Sequence, residues 1–280
     1  MIVLSDSAKL IRAAYLIESR KEADTMNRVL SVTNHKGGVG KTTSAVNIAA
    51  AFAEMGREVL LIDLDPQGSS TLHLGIRSDG SDLLKALQGG VALPVMPTGT
   101  AKVALVPSGP VFAEARVRFS GVLGTELLVR CFSRTEGNWD LVIVDCPPSL
   151  DMLTMNALRV SQYVLIPLEA SRLALSSLNQ LTETVKSAMK ENPVLEILAV
   201  IVCRAHPRYN IHREVMSDLE KTFPGRIAPI VRENVALTEA AGRGLPVTAY
   251  ASDSTGAADY RAVARWLSPR LFPAAQTDNI

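Results

Sequence analysis

Cysteine is scarce: Cys131, Cys146 and Cys203 are the three in 280 residues, and no two form a C-x-x-C pair. That excludes a secreted disulfide framework and makes a reducing, cytosolic compartment the expectation. Long apolar runs are missing too. Ile197 to Cys203 is strand-sized, far short of the ~20 residues of a membrane span. The N-terminus lacks an apolar core followed by a cleavage site, so it does not read as a secretory leader. Charge of one sign is absent, because 29 Lys and Arg face 28 Asp and Glu and leave a net +1. No global field draws the chain to nucleic acid or anionic lipid, and any such contact needs a local patch. Internal repeats and linkers rich in Pro, Gly or Ser are not seen either.

What is present is ordinary globular material, with 47% hydrophobic and 20% charged residues. Residues 1–27 stand apart. Ser5-Asp6-Ser7 can cap a helix whose face carries Leu10, Ile11, Ala14 and Ile17. The segment reads either as a short surface helix or as sequence upstream of a true start at Met26. From Val29 strands and helices alternate. Strands are expected at Val29–Thr33, Glu58–Asp63, Val103–Val106, Leu141–Asp145, Tyr163–Pro167, Leu195–Cys203 and Ile227–Val231. Helices are expected at Thr42–Met55, Leu83–Leu87, across most of Phe112–Phe132, and at Met152–Val160, Leu175–Lys190, Ile211–Phe223, Val235–Ala241 and Ala257–Leu267. Gly89–Gly99 reads as a loop, and the tail from Pro273 as frayed. This alternation predicts an α/β fold: a mostly parallel twisted sheet with helices on both faces, one domain over 28–272.

The strongest local signal is His35-Lys36-Gly37-Gly38-Val39-Gly40-Lys41-Thr42-Thr43, between a strand and a helix. Glycines there let several backbone N–H groups turn toward one anion, and the following helix adds its positive end. Lys41 can reach β and γ phosphates, and the Thr42 hydroxyl can ligate Mg²⁺. The ordinary G-x-x-x-x-G-K-[ST] pattern fails at His35, and G-x-G-x-x-G fails at Thr43. An early lysine, Lys36, stands in the loop instead. Two acid-bearing strand ends complete the set: Leu60-Leu-Ile-Asp63-Leu-Asp65-Pro-Gln-Gly68 and Leu141-Val-Ile-Val-Asp145-Cys-Pro-Pro148. Acids at the carboxyl ends of parallel strands lie beside such a loop, where metal binding and water orientation need them.

Lys36-Gly-Gly-Val-Gly-Lys-Thr-Thr43 resembles the deviant Walker A loop of the ParA/MinD class of P-loop ATPases. Asp63-Leu-Asp-Pro-Gln-Gly68, Asp145-Cys-Pro-Pro-Ser-Leu150, Val164-Leu-Ile-Pro167, Asn234-Val235 and Leu237-Thr-Glu-Ala240 with Gly244-x-Pro246 look like the ParA/Soj type, which partitions chromosomes and plasmids. The resemblance covers about Val29 to Leu267. It implies ATP and Mg²⁺ as ligands, Lys36 crossing a homodimer interface to the partner's phosphates, and Asp145 and Asp63 in the metal shell with Thr42. It also implies that Asp65 orients the attacking water beside Lys36 and Lys41. Asn234 matches a position that contacts adenine, and Arg232, where the family usually has proline, goes with it to the nucleotide site. The resemblance further implies non-specific duplex DNA binding, a ParB-like centromere-binding partner and a cytoplasmic, nucleoid-associated location. Arg208 matches a DNA-contact position, and Arg204, Arg213 and Arg243 are basic candidates in the same region. Ala236 and acidic Glu233 depart from the family there.

Bland and rival readings stand beside these. His206 and His212 lack the spacing of helix metal ligands, and Cys146 reads as a small buried thiol. A MinD-like membrane ATPase would need a terminal basic amphipathic helix, for which Arg261–Leu271 is the candidate, but its apolar face also suits packing on the sheet. Stable membrane association is therefore not expected. A cluster-carrying relative would need Cys131 and Cys146 at a dimer axis. An ATPase that positions protein cargo is a further alternative.

Overall fold

The computed structural model describes residues 28–119, 124, 126–206 and 209–273. The expectations for residues 1–27, for the tail beyond 273 and for Arg208 lie outside the described residues. β1 (Arg28–Val32) is followed by α1 (Lys41–Glu54), β2 (Val59–Asp63), α2 (Ser69–His73) and α3 (Ser81–Gly89). β3 (Met96–Pro97) and β4 (Val103–Val106) precede α4 (Glu114–Arg118), α5 (Leu127–Phe132), β5 (Leu141–Asp145) and α6 (Met152–Val160). Then come β6 (Tyr163–Glu169), α7 (Arg172–Met189), β7 (Glu196–Cys203), α8 (Asn210–Thr222), α9 (Val235–Gly242), α10 (Val247–Tyr250) and α11 (Thr255–Leu271).

The seven strands form one sheet in the order β3-β4-β2-β5-β1-β6-β7. All neighbours are parallel except the short β3, which runs antiparallel to β4 at the edge. The strands are continuous apolar runs because helices cover both faces. Successive side chains point to opposite faces. Leu30, Val32, Leu61 and Ile143 therefore pack against Ile48 and Phe52 of α1 and Tyr260 and Val263 of α11. Val29, Leu60, Ile62, Val142 and Val144 meet α3, α5 and α6 on the other face. A third cluster joins β6 and β7 to α7 and α8 through Leu181, Val185, Val215 and Leu219.

Two expectations change. Ile227–Val231 is not a ladder strand. Pro229 removes a donor, and the segment touches the sheet only through isolated bridges at Ile227 and Arg232. It still covers the β7 edge, with Ala228 N donating to Val200 O at 2.9 Å and Val231 N to Val202 O at 2.9 Å. The Gly89–Gly99 loop contains β3. Phe112–Phe132, expected to be mostly helical, is so among its described residues: a 3₁₀ turn at Pro110–Ala113 leads into α4, and α5 follows.

Because β1, β2 and β5 are adjacent and parallel, their carboxyl ends open on one edge of the sheet. The register pairs Asp145 with both Val32 and Asp63. The phosphate-type loop and the acids, far apart in sequence, are thereby brought together.

Candidate nucleotide-binding site

The loop from β1 to α1 is held from below. Asn34 Nδ2 donates to Pro167 O at 2.7 Å, and Asn34 Oδ1 accepts from Lys36 N at 3.1 Å. Gly40 begins α1 with φ +95°, a conformation side chains rarely adopt, and a Cβ there would press on Cys203 Sγ at 3.2 Å. No side chain caps α1. A helix start without a cap keeps its N–H groups for an anion. Gly37 and Gly38 are exposed, with open space where a Cβ would project. Inside the loop Lys41 Nζ donates to Lys36 O at 3.0 Å. Burial lowers the Lys41 pKa, opposed by the charges of Asp145, Cys146 and Asp65.

The acids are all buried, yet their partners differ. Asp145 Oδ2 accepts from Thr42 Oγ1 and Ser70 Oγ, both at 2.8 Å. Its Oδ1 is buried without a hydrogen-bond partner among the described residues. Asp63 is fully engaged: Oδ1 takes the Asp65 amide at 3.1 Å, and Oδ2 takes Thr71 N at 2.9 Å and Thr71 Oγ1 at 2.7 Å. Asp65 Oδ1 accepts from Gln67 N at 3.0 Å. Burial holds both Asp63 and Asp145 above the ordinary carboxylate range, and for Asp63 the charge of Asp145 adds to it. A cation beside them would reverse that penalty.

Magnesium fits these residues. An orphaned carboxylate oxygen beside a hydroxyl at the head of an anion-binding loop suits a hard cation. Thr42 and Asp145 would hold it, whereas Asp63, with both oxygens occupied, supports Asp65 and α2 from behind. Among the described residues no group of three His, Cys, Asp or Glu makes a metal cage.

Beside Gly40 and Thr43 opens a cavity of about 340 Å³, walled by Arg204, Arg232, Asn234 and Tyr260 among others. Arg232 and Asn234 thus line the same cavity as Gly40 and Thr43 of the loop. Arg204, expected on the DNA side, lines this cavity instead. It adopts a left-handed backbone with φ 52° at the end of β7. Arg213 is exposed on α8 and Arg243 is exposed after α9. Cys146 and Cys131 are both buried, and burial raises both thiol pKa values. Neither presents a sulfur for a cluster at a shared surface. Among the described residues no helix is long and apolar enough to cross a membrane.

Sequence reading missed Ser70, Thr71 and Asp259. The hydroxyl pair belongs to the Ser69-Ser70-Thr71 run that follows the Asp65-Pro66-Gln67-Gly68 turn, and that run was the available signal. Asp259, which grips Arg232 across 27 residues of sequence, had none.

A loop of this form at the head of a parallel sheet, with an aspartate and a threonine beside it, defines a P-loop nucleotide-binding protein. Over residues 27–197 the chain matches the AAA domain family. It is 33% identical over 255 residues to the sporulation initiation inhibitor protein Soj of Bacillus subtilis, spanning 86% of this chain and 98% of that protein. It is 35% identical over 256 residues to the chromosome partitioning protein ParA of Myxococcus xanthus, spanning 89% and 90%. A solved cobyrinic acid a,c-diamide synthase of Mycobacterium smegmatis, with bound ADP and magnesium, superposes with a TM-score of 0.75 at 31% identity, over 88% of this chain and 95% of that one. This chain belongs to the AAA domain family and, within it, to the ParA/Soj group of partition ATPases.

Proposed function

We propose that this chain is a Mg²⁺-dependent ATPase of DNA partition, whose ATP-bound form pairs as a sandwich dimer and holds duplex DNA without sequence preference. The observation that carries this reading is the different placement of two lysines in one loop. Lys41 is turned inward, 7% exposed, with its ammonium on the loop's own carbonyl. Lys36 is fixed by its backbone, and its ammonium has no hydrogen-bond or ion-pair partner among the described residues. This difference supports a role for Lys41 at the chain's own phosphates and for Lys36 at a second copy's phosphates. The two nucleotides then become interface ligands, so dimerisation and nucleotide state are linked.

Within each site Lys41 and the partner's matching lysine neutralise charge on the transferred phosphoryl group. Asp65, anchored by Asp63 and the Gln67 amide, aligns water for attack. Magnesium, when bound at Thr42 and Asp145, supplies charge stabilisation at the phosphate oxygens. Exposed Arg213 and Arg243 are candidates for DNA phosphate contact, and Arg208 matches such a position by sequence. Family membership supports a ParB-like partner that stimulates hydrolysis.

The test is binding to random duplex DNA with ATP, ADP or no nucleotide at two salt concentrations. Salt-sensitive binding with ATP alone, lost in Lys36→Ala, is the expected result. DNA binding that ignores the nucleotide, or survives Lys36→Ala, overturns the lysine-bridged dimer. Absence of DNA binding in every state overturns the DNA reading, leaves the ATP site standing and turns the search to lipid and protein cargo.

A further inference from the structure

Asn234, the residue expected at the base, has a side chain already committed elsewhere. Its Oδ1 accepts from Ala236 N at 2.8 Å and caps α9, and its Nδ2 donates to Thr255 Oγ1. Glu233, a polar neighbour on the cavity wall, is paired through Oε2 with His206 Nε2 at 3.2 Å. Two groups that could read a base edge are therefore engaged with the protein itself.

Arg232 lines the same cavity in a different way. Three of its N–H groups converge on one carboxylate. The main-chain amide and Nε reach Asp259 Oδ2 at 2.9 and 3.0 Å, and Nη2 reaches Oδ1 at 2.7 Å. Asp259 sits in α11, 8% exposed, so the fork is anchored in the body of the fold. The Arg232 side chain itself remains 45% exposed. A guanidinium tied along its Nε–Nη2 edge is fixed in orientation and has its flat faces left to offer. Flat, weakly hydrated cations stack on aromatic rings, which a lysine ammonium does not reproduce.

We infer that Arg232, locked by Asp259, is the platform on which the nucleotide's base stacks, and that Asp259 is its positioning residue. The inference rests on the nucleotide reading above and deepens it. Recognition through a ring face favours the larger purine over a pyrimidine and discriminates weakly between purines, because it does not use the base edge.

Calorimetric titration of the full chain with Mg²⁺ and ATP, CTP or inorganic tripolyphosphate tests this. The wild-type chain is expected to bind ATP more tightly than CTP. Arg232→Ala should weaken ATP binding roughly three- to thirtyfold, leave tripolyphosphate binding unchanged and narrow the ATP-to-CTP ratio. Arg232→Lys, which keeps the charge and loses the plane, should behave like the alanine variant. Asp259→Asn should fall between them and the wild type. Wild-type ATP affinity in Arg232→Ala overturns the inference. So does full recovery in Arg232→Lys, or an equal loss for tripolyphosphate. The exposed Arg232 variants carry the test even if the buried Asp259 change destabilises the fold. A wild-type chain that binds neither ATP nor tripolyphosphate would sink the nucleotide reading itself, which keeps the two failures separate.

Discussion

At the phosphate end of the cleft the working groups are close to the backbone. Thr42, Ser70, Thr71, Asp63 and Asp145 carry short side chains on strand ends and first helical turns, and Lys41 lies folded against its own loop. At the proposed base end Arg232, Glu233 and Arg204 are long and exposed, and Arg232 and Glu233 are held by partners distant in sequence, Asp259 and His206. The first end is positioned by sheet register and helix starts, with little side-chain freedom left to restrict. The second depends on individual side-chain pairs made by packing. The two ends are also physically joined. Gly75, after α2, lies against Gly244, after α9, and His73 is hydrogen-bonded to the backbone of Leu245. Asn47 Oδ1 of α1 accepts from Val247 N at 2.7 Å, which ties the loop helix to the same turn.

The harshest way to break the comparison is at the phosphate end. Lys41→Ala removes a preorganised cation that no neighbour can replace, and phosphate release should fall more than about 100-fold. A smaller drop than that seen for the Arg232 variants would mean that the two ends have been ranked wrongly. Next comes the joint. Gly244 has φ +72°, and a Cβ there would lie 2.7 Å from Gly75 Cα. Gly244→Ala should therefore cost about 1–3 kcal/mol in urea unfolding. If the joint transmits strain, ATP affinity should fall with it, while a stability loss alone would show two independent ends.

The effect of pH comes last, because it is slight near neutrality and grows only as acid is added. Burial lowers the His73 pKa from 6.5 to about 4, and its Nε2 has no partner among the described residues. Below pH 6.5 the unfolded chain takes up a proton that the folded chain refuses until about pH 4. Stability is therefore fully present above 6.5 and falls with pH, by up to about 3 kcal/mol near and below pH 4. His73→Gln should flatten the decline of Tm between pH 7 and 4.5. An unchanged slope would show that other groups govern it.

Much of this was legible in the residues. β4, β5 and α6 begin and end where apolar runs and turn residues place them, and the loop with its two acid-bearing strand ends announced a phosphate site. The β7-flanking segment was misread because Ile227, Ala228, Ile230 and Val231 are strand-like, while Pro229 cannot complete a ladder. β3 was missed because two residues, one of them Pro97, carry no periodicity. Arg204 was grouped with the other arginines because proximity in sequence hid its turn into the cavity.

The sequence by itself determined the chemistry of the phosphate end. A glycine-rich turn and an acid at a strand terminus are local features, set by backbone conformation over a few residues. Tertiary structure alone decided which acid is free. Asp63 and Asp145 look alike as strand endings, yet Thr71 and the Asp65 amide occupy both oxygens of one, and one oxygen of the other is left open. It also decided that Arg232 meets Asp259, a pairing that exists only because α11 packs across the sheet beside the cavity. Hydrogen-bond partners at long sequence separation follow from packing, and packing is a property of the whole chain.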